Sequence, residues 1–408
     1  MGLEPTTPCL QSRCSSQLSY SPQPQGPVNT PRRPGSGTST LLSAADDAER
    51  TAQIARHCAM SLQRVSACAS GRTVRAALVP FVLAVGLFCG CSDGPAASST
   101  SSSSEPVTPA GPPFAVGRHD LVLVDTARAA AAVPAAGVPA APERTIDLIV
   151  IYPAAGEPGD VPTIPDAWSE VGDPDGRSAV VDAEPADGPF PLLVFAHGWS
   201  GRGGSFLAQA ESWARAGYVV ALPTFPLSRA GIAFSDDYVN QPGDIGFVID
   251  ELLAARADDL LADLVDAAHV AVGGHSLGSA TVFRMGYNSC CTDDRIDAVI
   301  AVSGGPIDYA EPGYGNQPQT PMLLAHGVAD PGVPVAISDA MVTFITAPVT
   351  YLRLDQADHT SVFVGANGEL FNAVVLAFLD AHLKGEPAAL DDLARMVEDS
   401  GLAELREG

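Results

Sequence analysis

The 408-residue chain has a single lysine, Lys384, and only 22 Lys+Arg against 47 Asp+Glu, a formal net charge of −25. The first 91 residues hold 8 of those bases and 4 of those acids, which leaves 14 against 43 in the remainder. A surface of that sign repels phosphate backbones and anionic headgroups, so nucleic acid is excluded as a partner. Cysteine is almost absent beyond residue 91: of eight, only Cys290 and Cys291 fall there. Two adjacent cysteines build no disulfide framework, and they leave open a vicinal disulfide or two buried thiols. There is no HExxH, no paired CxxC and no phosphate loop, so no metal and no cofactor is expected. No apolar run reaches the roughly 20 residues a membrane-spanning helix needs.

What the chain does have begins with a long lead. Residues 1–59 are rich in Ser, Pro, Gln and Arg without periodicity and read as a disordered or non-native extension, with Met60 well placed as a start. Residues 60–91 have basic residues, a short apolar run and a small residue before Cys91, the pattern of a secretory signal. Gly90-Cys91 resembles the end of a bacterial lipoprotein signal, which implies an exported protein, lipid-anchored at Cys91 or secreted. Residues 92–113 are Ser-, Pro- and Gly-rich and read as a tether. Residues 114–405 are long enough for one domain with a full core, expected to act as a monomer.

Chemistry concentrates in Gly274-His-Ser-Leu-Gly278, where an apolar run of strand character ends and a helical segment over 277–287 begins. Ser276 then sits at the apex of a sharp strand–turn–helix, with glycines on either side making room for it. The N–H of Leu277 lies at a helix N-terminus, where it can stabilise developing negative charge. Two further strand ends follow in the chain. Asp330 comes after the strand that begins near Met322, and His359 after the strand over 349–354. A serine hydroxyl needs an imidazole to take its proton, and the imidazole needs a carboxylate to fix its tautomer. Ser276, Asp330 and His359 are therefore the expected catalytic set. The second oxyanion donor is expected from Ala196-His-Gly-Trp199, through the N–H of Trp199, whose ring would also floor an acyl pocket.

Several residues compete for these roles. Asp308, after the strand over 298–303, is the rival of Asp330. Asp358 adjoins His359, but neighbours in an extended segment point opposite ways. His197, His275 and His326 lie at strand ends beside glycine and read as hydrogen-bonded structural groups. His382, near the end of a helix over 371–384, suits the helix dipole rather than catalysis.

Strand-like runs at 118–124, 145–152, 192–196, 218–222, 270–273, 298–303, 322–325 and 349–354 alternate, after the first two, with helical stretches such as 243–261. That alternation predicts an α/β fold with a mostly parallel, eight-stranded sheet, helices on both faces and an antiparallel lead-in. With the order Ser, Asp, His, the chain resembles the serine α/β-hydrolases. Within them it resembles the group of dienelactone-hydrolase-like lipoproteins, chlorophyllases, platelet-activating-factor acetylhydrolases and cutinase-like polyester hydrolases. Val124-Asp-Thr-Ala-Arg128, Arg144, Asn240-Gln-Pro-Gly-Asp244 and Ala357-Asp-His359 carry that resemblance besides the serine motif. The nucleophile position holds serine, so the cysteine chemistry of true dienelactone hydrolases is not implied.

The usual place for a cap domain, 304–320, is too short for a helical lid, so no large cap is expected. A loop over 226–242 carries Phe234 and Tyr238, which with Trp199 are the expected substrate-binding residues. Together these imply a carboxylesterase for small or polymeric esters of short to medium acyl length, with cutinase-like polyesters included. A peptidase or amidase of the same fold and a non-catalytic binding protein are the alternatives. The membrane is expected to matter only through the anchor at Cys91.

Overall fold

A computed structural model describes residues 113–160, 162–169, 178–255, 259–307, 313–314 and 320–407. The extension, signal and most of the tether expected from the sequence lie outside them, as does Asp308. The described part is built on ten strands in one sheet. The strands are β1 (Ala115–Asp125), β2 (Arg144–Ala154), β3 (Val180–Val181), β4 (Phe190–Ala196), β5 (Val219–Thr224), β6 (Val265–His275), β7 (Ile296–Val302), β8 (Met322–Gly327), β9 (Val349–Leu354) and β10 (Ala403–Glu407). Their order across the sheet is β10-β9-β8-β7-β6-β4-β5-β2-β1-β3. The six from β5 to β9 run parallel. β2 is antiparallel to β5 and pairs with β1 over eleven positions, an antiparallel lead-in.

The central strands are buried on both sides, which is why they read as unbroken apolar runs. Along β4, Leu192, Val194 and Ala196 enter one core, while Leu193 and Phe195 enter the other. Helices α2 (Gln241–Leu253), α3 (Leu277–Tyr287) and α4 (Ala336–Phe344) cover the first face, with Ile249, Phe283 and Met341 in its core. Helices α1 (Leu207–Arg215), α5 (Gly365–Leu383) and α6 (Leu393–Ser400) cover the second, through Trp213, Val374 and Val397.

All eight expected strands are present, and two edge strands are added to them. β10 continues the sheet past β9 by antiparallel pairing of Ala403 with Leu354 through Glu407 with Thr350. The helix expected over 243–261 is shorter, ending at Leu253. Leu261 and Leu264 are nonetheless buried, packed from the turn before β6, where Asp263 takes a positive φ of 58°. Apolar spacing there reports packing of a turn rather than continuation of the helix.

Candidate active site

Every group of interest lies at the carboxyl end of the parallel strands. β6 ends at His275, Ser276 follows with φ 56° and ψ −113°, and α3 begins at Leu277. That left-handed φ is held from both directions: Ser276 N–H donates to Val302 O at 2.9 Å, and Ala280 N–H to Ser276 O at 3.2 Å. The two glycines are required by close approach. A Cβ on Gly274 would lie 2.4 Å from the Gly278 carbonyl, and one on Gly278 would lie 2.4 Å from Ala196 O. The turn is a tight lock between β4, β6 and α3.

Ser276, His359 and Asp330 come together. His359 Nε2 stands 3.0 Å from Ser276 Oγ, and His359 Nδ1 stands 2.7 Å from Asp330 Oδ2. Asp330 is buried, and its other oxygen accepts the N–H groups of Gly332 and Val333, each at 2.8 Å. Burial opposes its charge, but the imidazoles of His326 and His359 and the Val333 N–H outweigh burial. They hold the carboxyl well below the usual carboxylate range. An acid held ionised in this way keeps the His359 Nδ1 proton in place, so Nε2 is free to face the serine.

Four further histidines make other contacts. His275 donates from Nε2 to the backbone oxygen of His359 at 2.8 Å, and the two rings lie 4.6 Å apart. Burial pushes its pKa down to about 3, so it stays neutral. His197 accepts from Phe225 N–H at Nε2 and donates from Nδ1 to Gly198 O, and burial pushes it down to about 4. His326 donates to Val333 O and accepts from Ser338. His382 packs edge-on against Phe378, with burial lowering its pKa. Asp358 turns away from His359 to accept the N–H groups of Thr360 and Ser361.

Next to Ser276 lies the turn after β4, so close that a Cβ on Gly198 would sit 3.0 Å from Ser276 Cβ. Among the described residues neither the N–H of Trp199 nor that of Leu277 donates to another protein group. The Trp199 indole is tied by its Nε1–H to Ala233 O at 2.6 Å, which leaves the ring 53% exposed at the mouth of the cleft. The cleft encloses about 460 Å³, part of it open to solvent, and is lined by Trp168, Trp199, Phe206, His275 and Thr360 around Ser276 and His359.

Phe234 and Tyr238 are not on that lining. Phe234 precedes and Tyr238 lies in a short helical turn, Ser235–Val239, which also carries Asp237, drawn onto the buried guanidinium of Arg144 by two bonds of 2.9 and 3.0 Å. Tyr238 lies instead against Arg284, 5.1 Å from its ring centroid. Trp168 and Phe206, which do line the cleft, were missed from the sequence. They come from an irregular loop and a short turn, where no periodicity marks an inward side. Trp168 packs on Phe206 at 5.2 Å and on Phe363 at 5.3 Å. Cys290 and Cys291 form a vicinal disulfide in the turn after α3, outside the cleft lining, which decides between the two forms expected.

In the sheet β4 and β5 are exchanged relative to the chain and β2 is antiparallel, and the fold is similar to that of a solved ferulic acid esterase from Streptomyces cinnamoneus. The two superpose with a TM-score of 0.50 at 23% identity, over 69% of this chain and 93% of that one. The fold is that of the α/β-hydrolases. No protein-family model matches the chain, and no curated protein matches it.

Proposed function

We propose that this chain is a serine carboxylic-ester hydrolase. The observation that carries the reading is the hydrogen-bonded line Ser276–His359–Asp330, at 3.0 and 2.7 Å, beside two N–H groups that donate to no protein group among the described residues. In this reading His359 Nε2 takes the Ser276 proton as Oγ attacks the ester carbonyl. The oxyanion is held by the N–H groups of Leu277 and Trp199. The alkoxide then leaves with the proton from His359, giving an acyl-enzyme. A water, deprotonated by the same imidazole, releases the acid and restores Ser276.

The esterase named among solved structures supports an ester rather than an amide as substrate. The short stretch at the usual cap position supports accessible esters of short to medium acyl length, polyesters among them. Trp199, Trp168 and Phe206 offer apolar surface for the acyl or alcohol part. Export and an anchor at Cys91 fit an enzyme that meets its substrates outside the cell. The test is hydrolysis of p-nitrophenyl esters of increasing acyl length by the purified full chain, with Ser276→Ala as control. Turnover highest at short to medium length and lost in the variant is expected. An inert parent, or one that cleaves only peptides and amides, sinks the reading.

A further inference from the structure

The two N–H groups assigned to the oxyanion come from separate elements. Leu277 opens α3, whereas Trp199 sits in the turn after β4, where Ser200 takes a positive φ of 61°. Strain of that kind persists only where the surroundings hold it. Ser200 N–H donates to Ser228 O at 2.7 Å, and Ala230 N–H donates to Gly201 O at 3.3 Å, so the holding comes from the segment after β5. That segment is in turn gripped by one side chain. Gln241, fully buried at the start of α2, donates from Nε2 to Ser228 Oγ at 2.9 Å. Its other end accepts from Thr281 Oγ1 at 2.5 Å. Thr281 lies one turn beyond Leu277 in α3 and also contacts Leu277 O at 3.1 Å.

We propose that Gln241 is a positioning residue whose buried amide ties the turn of Trp199 to the helix of Leu277, fixing the spacing of the two N–H groups. The inference rests on the hydrolase reading of the site. An unbroken line runs from Ser200 through the carbonyl and hydroxyl of Ser228, the Gln241 amide and the Thr281 hydroxyl to the first turn of α3. Both ends of the amide are used, and both partners are buried. A side chain placed only to fill space would not need two polar ends. Oxyanion donors act in proportion to their fit to the transition state, so loosening this line should cost turnover and spare substrate binding.

The test uses the full chain with Gln241→Met, Thr281→Val and Thr281→Ser. It measures kcat and KM on a short-chain p-nitrophenyl ester, the inhibition constant of a short alkyl boronic acid, and the thermal midpoint. The boronic acid adds to the serine as a tetrahedral anion and so reports the donor pair directly. Gln241→Met and Thr281→Val should lower kcat and boronate affinity together, by roughly 10- to 100-fold, with KM held within about twofold. Thr281→Ser, which keeps the hydroxyl, should retain both. If Gln241→Met fails to fold, the two Thr281 variants carry the comparison. A hydrolysing parent whose folded variants keep kcat and boronate affinity, whatever their midpoints, overturns the positioning role alone. A parent inert toward esters overturns the hydrolase reading and the positioning role with it.

Discussion

Ser276 occupies a backbone conformation that an L-residue adopts at a cost of order 1–3 kcal/mol, and its oxygen stands at hydrogen-bond distance from an imidazole. Replacing Ser276 or His359 by alanine removes the proposed nucleophile or its proposed base but neither lock around the turn. Each variant should keep its unfolding midpoint and lose roughly 10³-fold or more in kcat. Asp330→Asn should cost about 10⁴-fold, because an amide favours the wrong tautomer of His359. Asp308→Asn should cost far less, and a larger loss there would move the acid to the earlier strand. His275 adds a subtler demand, since it holds the backbone oxygen of His359. His275→Phe keeps a ring in place and loses that bond. A drop of roughly tenfold in kcat at unchanged KM is the expected result, and an unaltered kcat would assign His275 to packing alone.

At the scale of elements, the site depends on how closely α3 approaches β4. Alanine in a helix interior is ordinarily worth about 1 kcal/mol over glycine, yet at Gly278 the sign should reverse. The added Cβ would meet Ala196 O at 2.4 Å, and that atom belongs to backbone. Gly278→Ala should destabilise by about 1–3 kcal/mol in urea unfolding; a stabilised variant would show that α3 is free to shift. The same elements explain what was legible beforehand. Ser276, Asp330 and His359 could be read because each follows a buried strand whose apolar run is unmistakable. β3 and β10 could not, because β3 is two residues long and β10 is a five-residue edge strand with three charged residues, Glu404, Arg406 and Glu407, and none that is buried. The cleft wall was the least legible part. Phe234 and Tyr238 are aromatics in a loop that the sequence sets beside the site, but Arg144, one hundred residues from Asp244, draws that loop to itself. Such long-range pairing leaves no local pattern, although Asp125, Arg128, Arg144, Asn240 and Asp244 all lie in the segments that carry the sequence resemblance. The structure joins them with Asp237 in one ionic network.

For the molecule as a whole, His197 and His275 link stability to pH. Both are held neutral by burial, at about 4 and about 3, against about 6.5 for a free imidazole. Below pH 6.5 the unfolded chain therefore binds protons that the folded chain refuses. This stabilisation is fully present above pH 6.5 and declines as pH falls to about 4 for His197 and about 3 for His275. The slope is at most about 1.4 kcal/mol per pH unit for each imidazole. Asp330, depressed by its partners, adds a loss of the same direction below the ordinary carboxylate range. Urea midpoints should fall steadily from pH 6.5 to 4.5, and a flat profile would show that neither imidazole is kept neutral. The excess of acids over bases also implies self-repulsion, so added salt should raise the midpoint at pH 7.

The three tryptophans are distributed so that the chain has its own optical probe. Trp213 is sealed between Phe195 and Phe371, whereas Trp168 and Trp199 both border the cleft. Ultraviolet emission should thus combine one blue-shifted, quencher-resistant indole with two whose surroundings change when the cleft fills. Collisional quenching by acrylamide should reach the Trp199 ring first, and an occupant of the cleft should protect it. Binding could then be followed without a chromogenic leaving group, in the Ser276→Ala protein, on unmodified molecules that release no colour.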